Sequence, residues 1–92
     1  MFTVYKYTLP AKKGHFSLDL PRGAKILAVQ EQYGEGQIWA LVNSDGSRET
    51  RNFLLVKTGD PIKETEILNF VGTFRLVGDN FIFHLFEIVR KE

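Results

Sequence analysis

Apolar and polar positions alternate in short runs along nearly the whole chain, and turn-forming residues end each run within about ten positions. Phe16, Leu18 and Leu20 interleave with His15, Ser17 and Asp19, which predicts a strand with one buried face at the edge of a sheet. Ile26-Leu27-Ala28-Val29, Ile38-Trp39-Ala40-Leu41-Val42 and Phe53-Leu54-Leu55-Val56 are instead apolar at successive positions. Such strands need cover on both faces and are expected at the centre of a sheet. Seven segments follow, at about 2–8, 15–20, 25–32, 37–43, 48–57, 69–77 and 81–89. The expected fold is all-β, a small antiparallel sandwich or barrel of about seven strands with at most one short helix.

The turns between them have identifiable chemistry. Pro21-Arg22-Gly23 separates the second and third segments, and Tyr33-Gly34-Glu35-Gly36 and Asn43-Ser44-Asp45-Gly46-Ser47 read as hairpin loops. Together they predict a continuous antiparallel meander from Lys25 to Lys57. Gly78-Asp79-Asn80 predicts a hairpin between the last two segments. The one candidate helix is 60–68, with Asp60 as cap, Pro61 in the first turn and Glu64 near the positive end of the dipole. Trp39, Leu41, Phe53, Phe74, Phe83 and Leu85 are the expected core, because these large residues lie on the most continuously apolar strands. The last strand carries Phe81, Phe83, Leu85 and Val89 on one face and Ile82, Phe86 and Ile88 on the other. One domain supplies one core, so the second row predicts a homo-oligomer, a dimer being the simplest.

Composition narrows the class. Ninety-two residues form a single domain, 1–92, and 43% hydrophobic with 25% charged residues is ordinary for a globular protein. Twelve basic against 11 acidic side chains give a net charge of +1, which disfavours nucleic acid as a partner. The absence of cysteine excludes disulfides and thiolate metal sites. The N-terminus lacks a signal-peptide pattern, and no apolar run approaches the roughly 20 residues of a membrane-spanning helix. A cytoplasmic protein with no membrane association is expected.

Catalytic motifs are missing. There is no Walker loop, GxGxxG, HExxH or GxSxG, and Lys57-Thr58-Gly59-Asp60 lacks the glycines and helix of a phosphate loop. Neither an enzyme nor a cofactor is predicted. Of the two histidines, His15 reads as a solvated residue at the start of a strand, and His84 as a semi-buried imidazole held by a backbone carbonyl. Glu31, Asp45, Glu35 and Glu49 read as surface carboxylates. The most suggestive polar set is basic and aromatic. Arg51 shares a face with Phe53 and Leu55, where it covers the edge of that face, pairs with a carboxylate such as Glu49, or offers its planar fork to a phosphate or carboxylate. Arg48 lies on the other face, and Trp39 is a candidate stacking surface or a core residue.

Lys6-Tyr7-x-Leu9, Leu20-Pro21-x-Gly23-Ala24-x-Ile26-Leu27-x-Val29-Gln30-x-Gln32, Trp39-Ala40-Leu41-Val42, Glu49-Thr50-Arg51-x-Phe53, Thr58-Gly59-x-Pro61-Ile62, Gly72-Thr73-Phe74 and Phe83-His84-Leu85-Phe86-Glu87 occur in order along the chain. In these it resembles a family of short, uncharacterised proteins of phages and prophage-bearing bacteria. The resemblance implies a small accessory protein in the cytoplasm of the bacterial host and brings no catalytic residues. The leading expectation is a homo-oligomeric, non-catalytic binding protein that sequesters a small anionic, nucleotide-like signalling molecule of host defence. Arg51, Arg48, Lys25 and Arg75 would neutralise phosphates, Trp39 or Tyr33 would stack a base, and His84 completes the candidate set. The alternative is a module that inhibits or scaffolds a host or phage protein.

Overall fold

The computed structural model describes residues 1–76 and 80–91, the last two by their backbone alone. Seven strands are present: β1 (Phe2–Thr8), β2 (Gly14–Pro21), β3 (Lys25–Gln32), β4 (Glu35–Asn43), β5 (Arg48–Lys57), β6 (Glu66–Arg75) and β7 (Ile82–Lys91). They form two antiparallel sheets, a three-stranded one in the order β1-β4-β3 and a four-stranded one in the order β2-β5-β7-β6. The expected all-β fold of seven antiparallel strands is therefore observed, and of the sandwich and barrel left open by the pattern it is a sandwich. The β3–β4 hairpin turns on Tyr33 and Gly34, whose φ angles of 57° and 82° are the pair of positive values a two-residue type I′ turn demands. β6 and β7 also pair as expected, while Gly78 and Asp79 lie outside the described residues.

The expected strand order is corrected in two respects. The meander breaks after β4, because β4 and β5 belong to different sheets and the Asn43–Ser47 turn carries the chain from one layer to the other. Both strands have an apolar inward row, and facing them across the interior buries both at once. β3 is an edge strand rather than a central one. A bulge between Ile26 and Ala28 adds Leu27, which is exposed, so the unbroken apolar run reflects a change of register rather than two covered faces.

The helix over 60–68 does not form; residues 61–63 are irregular, 64–65 turn, and Glu66 already begins β6. β5 and β6 flank β7 and are both antiparallel to it, so their connection must return along the sheet. It starts at Lys57, opposite Phe83, and ends at Glu66, opposite Lys91. Eight strand residues are roughly 25 Å, whereas a helix over 60–68 would advance only about 13 Å. Asp60 is also committed elsewhere, since its Oδ2 accepts the Lys57 amide at 2.8 Å and closes the turn behind it. The connection passes over the outer face of the larger sheet, with Thr58 on His84 and Glu66 on His15. Leu54 and Val56, which point to that face, are buried. Ile82, Phe86 and Ile88 on the same face of β7 are half-buried, so the chain itself covers much of the row for which a second copy was expected.

Between the sheets, Leu20, Phe53, Leu55, Phe74, Phe83 and Leu85 pack against Val29, Ile38, Ala40 and Val42. The aromatic bulk comes from the larger sheet, where Phe74 and Phe83 stack at 5.8 Å and Phe16 and Phe53 at 5.4 Å. At a sheet spacing of about 10 Å, the facing strand must offer small side chains. β4 does so with Gly36 and Ala40, and a Cβ on Gly36 would lie 2.9 Å from the Phe74 ring. This fixes the orientation of β4 and turns Trp39 and Leu41 outward, Trp39 half-buried and Leu41 exposed, against their expected place in the core. The two layers also meet where β3 lies against β6, and there a Cβ on Gly72 would sit 2.6 Å from Val29 Cγ1.

Gly72→Ala is expected to cost about 1–3 kcal/mol, as overpacking does, with Val29→Ala recovering part of it in urea denaturation. Equal stability of Gly72→Ala and wild type would mean that β3 and β6 are not in close contact. Trp39→Ala is expected to cost less than the about 3–5 kcal/mol of a fully packed aromatic; a loss in that range would return Trp39 to the core.

Candidate functional site

Arg51 is held inside the fold. Its Nε donates to Glu87 Oε2 at 2.6 Å, its Nη2 donates to Glu87 Oε1 at 2.7 Å, and its Nη1 donates to the Ala24 carbonyl. The fork offered by strand β5 thus closes on a carboxylate of the neighbouring strand β7 and on the backbone just before β3 in the other sheet. Hydrogen bonding to Glu87 raises the Arg51 pKa, with the Glu87 and Glu49 charges adding to it and burial opposing it. Of the three roles left open by the sequence, the structure displays the carboxylate pair, with Glu87 in place of Glu49. Glu49 instead accepts the Gly23 amide at 2.8 Å and lies 3.7 Å from Arg22.

The remaining candidates are dispersed. Trp39 and Lys25 are on the outer side of the smaller sheet, Lys25 pairing with Leu41 in register. Tyr33 is exposed at the tip of the β3–β4 hairpin with Lys6 Nζ 5.8 Å from its ring centre. Arg48 reaches the Asp19 carbonyl at 3.4 Å, and Arg75 is exposed on β6. His84 is half-buried on the outer face of the larger sheet, but two threonine hydroxyls hold it rather than a backbone carbonyl: Thr58 Oγ1 is 2.7 Å from Nε2 and Thr73 Oγ1 2.8 Å from Nδ1. His15 is not merely solvated, since Nε2 lies 2.6 Å from the almost wholly buried Glu66 carboxylate. Among the described residues no cluster of three potential metal ligands occurs.

The feature the sequence did not reveal is a pocket of about 290 Å³ at one end of the sandwich. Leu9, Leu55, Phe74 and Phe83 from four separate segments form its floor, and Leu76 and Phe81 extend the apolar wall. Lys12, Lys13 and Lys57 stand around it with Glu35 as the one acidic residue among the described lining, so its charge is positive. None of Arg51, Arg48, Trp39, Tyr33, Lys25, Arg75 and His84 lines it. Lys57 Nζ rests 4.1 Å from the centre of the Phe81 ring, and Lys13 Nζ reaches Asp60 Oδ1 at 3.4 Å. Two sequence features bear on this site: the Lys12-Lys13 pair after Pro10, and Lys57 at the end of an apolar strand. Their convergence depends on how β1, β4, β5 and β7 are layered, which no local pattern encodes.

The Asp60 carboxyl is held below its ordinary pKa, first by the Lys57 amide and then by Lys13, with burial opposing. A depressed carboxyl stabilises the fold above its unfolded pKa and loses that contribution as the pH falls through the folded value. Thermal melting between neutral pH and pH 3 is therefore expected to show a decline in acid that is smaller in Asp60→Asn. Identical acid profiles would contradict the anchoring of this turn. Arg51→Ala is expected to cost about 1–3 kcal/mol by leaving Glu87 without its donors, and Glu87→Gln added to it is expected to cost little more. Additive losses would show that the two side chains act independently.

No curated protein and no solved structure matches the chain. A family model described as a domain of unknown function, DUF7352, matches residues 1–92. The protein belongs to that uncharacterised family over its whole length.

Proposed function

We propose that the protein is a non-catalytic binding protein whose end pocket holds a small anion with a flat apolar body, nucleotides among them. The observation that supports this reading is the combination of an apolar floor with three lysines at one mouth, in about 290 Å³. Apolar walls with a few placed polar groups are what small-ligand sites use. Phe74, Phe81 and Phe83 offer aromatic surface to a planar body, while Lys12, Lys13 and Lys57 offer point charges to a phosphate or carboxylate. Compared with the first expectation, the ligand and its sequestration are retained, but the residues proposed to bind it change. In keeping with the sequence resemblance, we assign it the role of a phage-type accessory protein in the host cytoplasm, removing a signalling molecule of host defence.

A second reading has its own observation. The outer side of the smaller sheet exposes Phe2, Val4 and Leu41, with the half-buried Trp39 among them. Apolar surface of this kind marks contact with another protein, which keeps an interaction module as the alternative.

Thermal melting of the purified chain with cyclic and linear nucleotides and aromatic carboxylates tests the first reading. At least one of them is expected to raise the melting temperature, and Lys57→Ala is expected to reduce that shift while Lys25→Ala leaves it unchanged. No stabilisation by any compound, or a shift untouched by Lys57→Ala and Lys13→Ala, would contradict it.

A further inference from the structure

Sheet edges invite pairing with other strands unless something blocks them. Three of the four edges here are blunted. β2 ends in Pro21 and turns His15 and Asp19 outward, β3 is bulged and lies against β6, and β6 has two irregularities in its pairing with β7. β1 differs. It pairs with β4 from Phe2 to Thr8 without a register shift and contains no proline. Its single charge is drawn back over its own sheet, Lys6 Nζ donating to Gln32 Oε1 at 2.7 Å and facing the Tyr33 ring.

The hydrogen bonds at the two ends of this ladder show which backbone groups remain free. The Ser44 amide donates to the Met1 carbonyl at 2.9 Å, and the Leu9 amide donates to the Gly36 carbonyl at 2.8 Å. In an antiparallel pair such residues alternate, so the odd-numbered residues of β1 face β4 and the N–H and C=O groups of Phe2, Val4, Lys6 and Thr8 face away from it. The side chains of those four residues share the outer side of the sheet with Trp39 and Leu41.

We infer that β1 pairs antiparallel with β1 of a second copy about a two-fold axis at Tyr5, joining the two smaller sheets into one of six strands. This register engages all seven residues of β1. Val4 lies opposite Lys6 of the partner subunit and Phe2 opposite Thr8 of the partner subunit, so the one cation of the edge meets an apolar residue and not its own kind. The absence of any like-charge pair, together with the match of every outward N–H and C=O with its counterpart, is why the occupant is a second copy. The apolar surface of Phe2, Val4 and Leu41 then continues across the axis. The contact uses none of the pocket residues and stands independently of the ligand reading.

Sedimentation velocity of the full chain from low to high micromolar concentration is the test. Wild type is expected to be dimeric. Val4→Pro removes an outward N–H and leaves the β1–β4 donors in place, and it is expected to weaken the dimer at least tenfold with the circular dichroism of the sheet retained. Val4→Lys, which sets two cations face to face, is expected to weaken it as well, and Val4→Glu, facing Lys6 of the partner subunit, to preserve it. A monomer at every concentration, or dimers of Val4→Pro and Val4→Lys as tight as wild type, would overturn the proposal. Equal losses in Val4→Glu and Val4→Lys would overturn the register.

Discussion

The structure depends on how bulk is divided between its two layers. Four phenylalanines, Phe16, Phe53, Phe74 and Phe83, project from the larger sheet and stack in pairs, and they occupy most of the depth between the sheets. The smaller sheet has to answer with Gly36, Ala40, Ile38 and Val42. Once β4 presents that row inward, Trp39 and Leu41 have only the outer side left. An apolar outer surface on the smaller sheet is therefore a consequence of the packing inside it.

The same division explains the pocket. Phe74 and Phe83 lie near one end of the sandwich, beside the start of β4, where Gly36 lets the Phe74 ring approach the backbone more closely than any side chain would allow. The chain entering from β1 at Leu9 and the strand end at Lys57 complete the walls. At the other side of the core Arg51 bridges Glu87 and the Ala24 carbonyl, linking the larger sheet to the start of β3. A guanidinium used in this way positions the sheets, and the lysines of the pocket carry the charge available to a ligand.

Much of the fold was legible because strand periodicity is a local signal. The alternation in Phe16, Leu18 and Leu20 identified an edge strand, and Tyr33-Gly34 identified a hairpin. Where the sequence misled, the deciding information was not local. Ile38-Trp39-Ala40-Leu41-Val42 is apolar in both parities, and which row faces inward is set by the phenylalanines of another sheet. Residues 60–68 carry genuine helix-start chemistry, yet the length of the crossover from Lys57 to Glu66 excludes a helix. Leu27 extended an apparently central run because a bulge cannot be seen in a list of hydrophobic residues. The pocket was out of reach for a related reason: it is assembled from segments far apart in the chain, and each contributes only one or a few residues.

Proton–proton Overhauser contacts measured on isotope-labelled protein test the division of bulk directly. The account predicts contacts from the Phe74 ring to the Gly36 α-protons and from the Val29 methyls to the Gly72 α-protons, with the Trp39 indole showing none to Phe53, Leu55 or Leu85. Contacts from the Trp39 indole to those core residues, with none between Phe74 and Gly36, would reverse the orientation of β4 and contradict it.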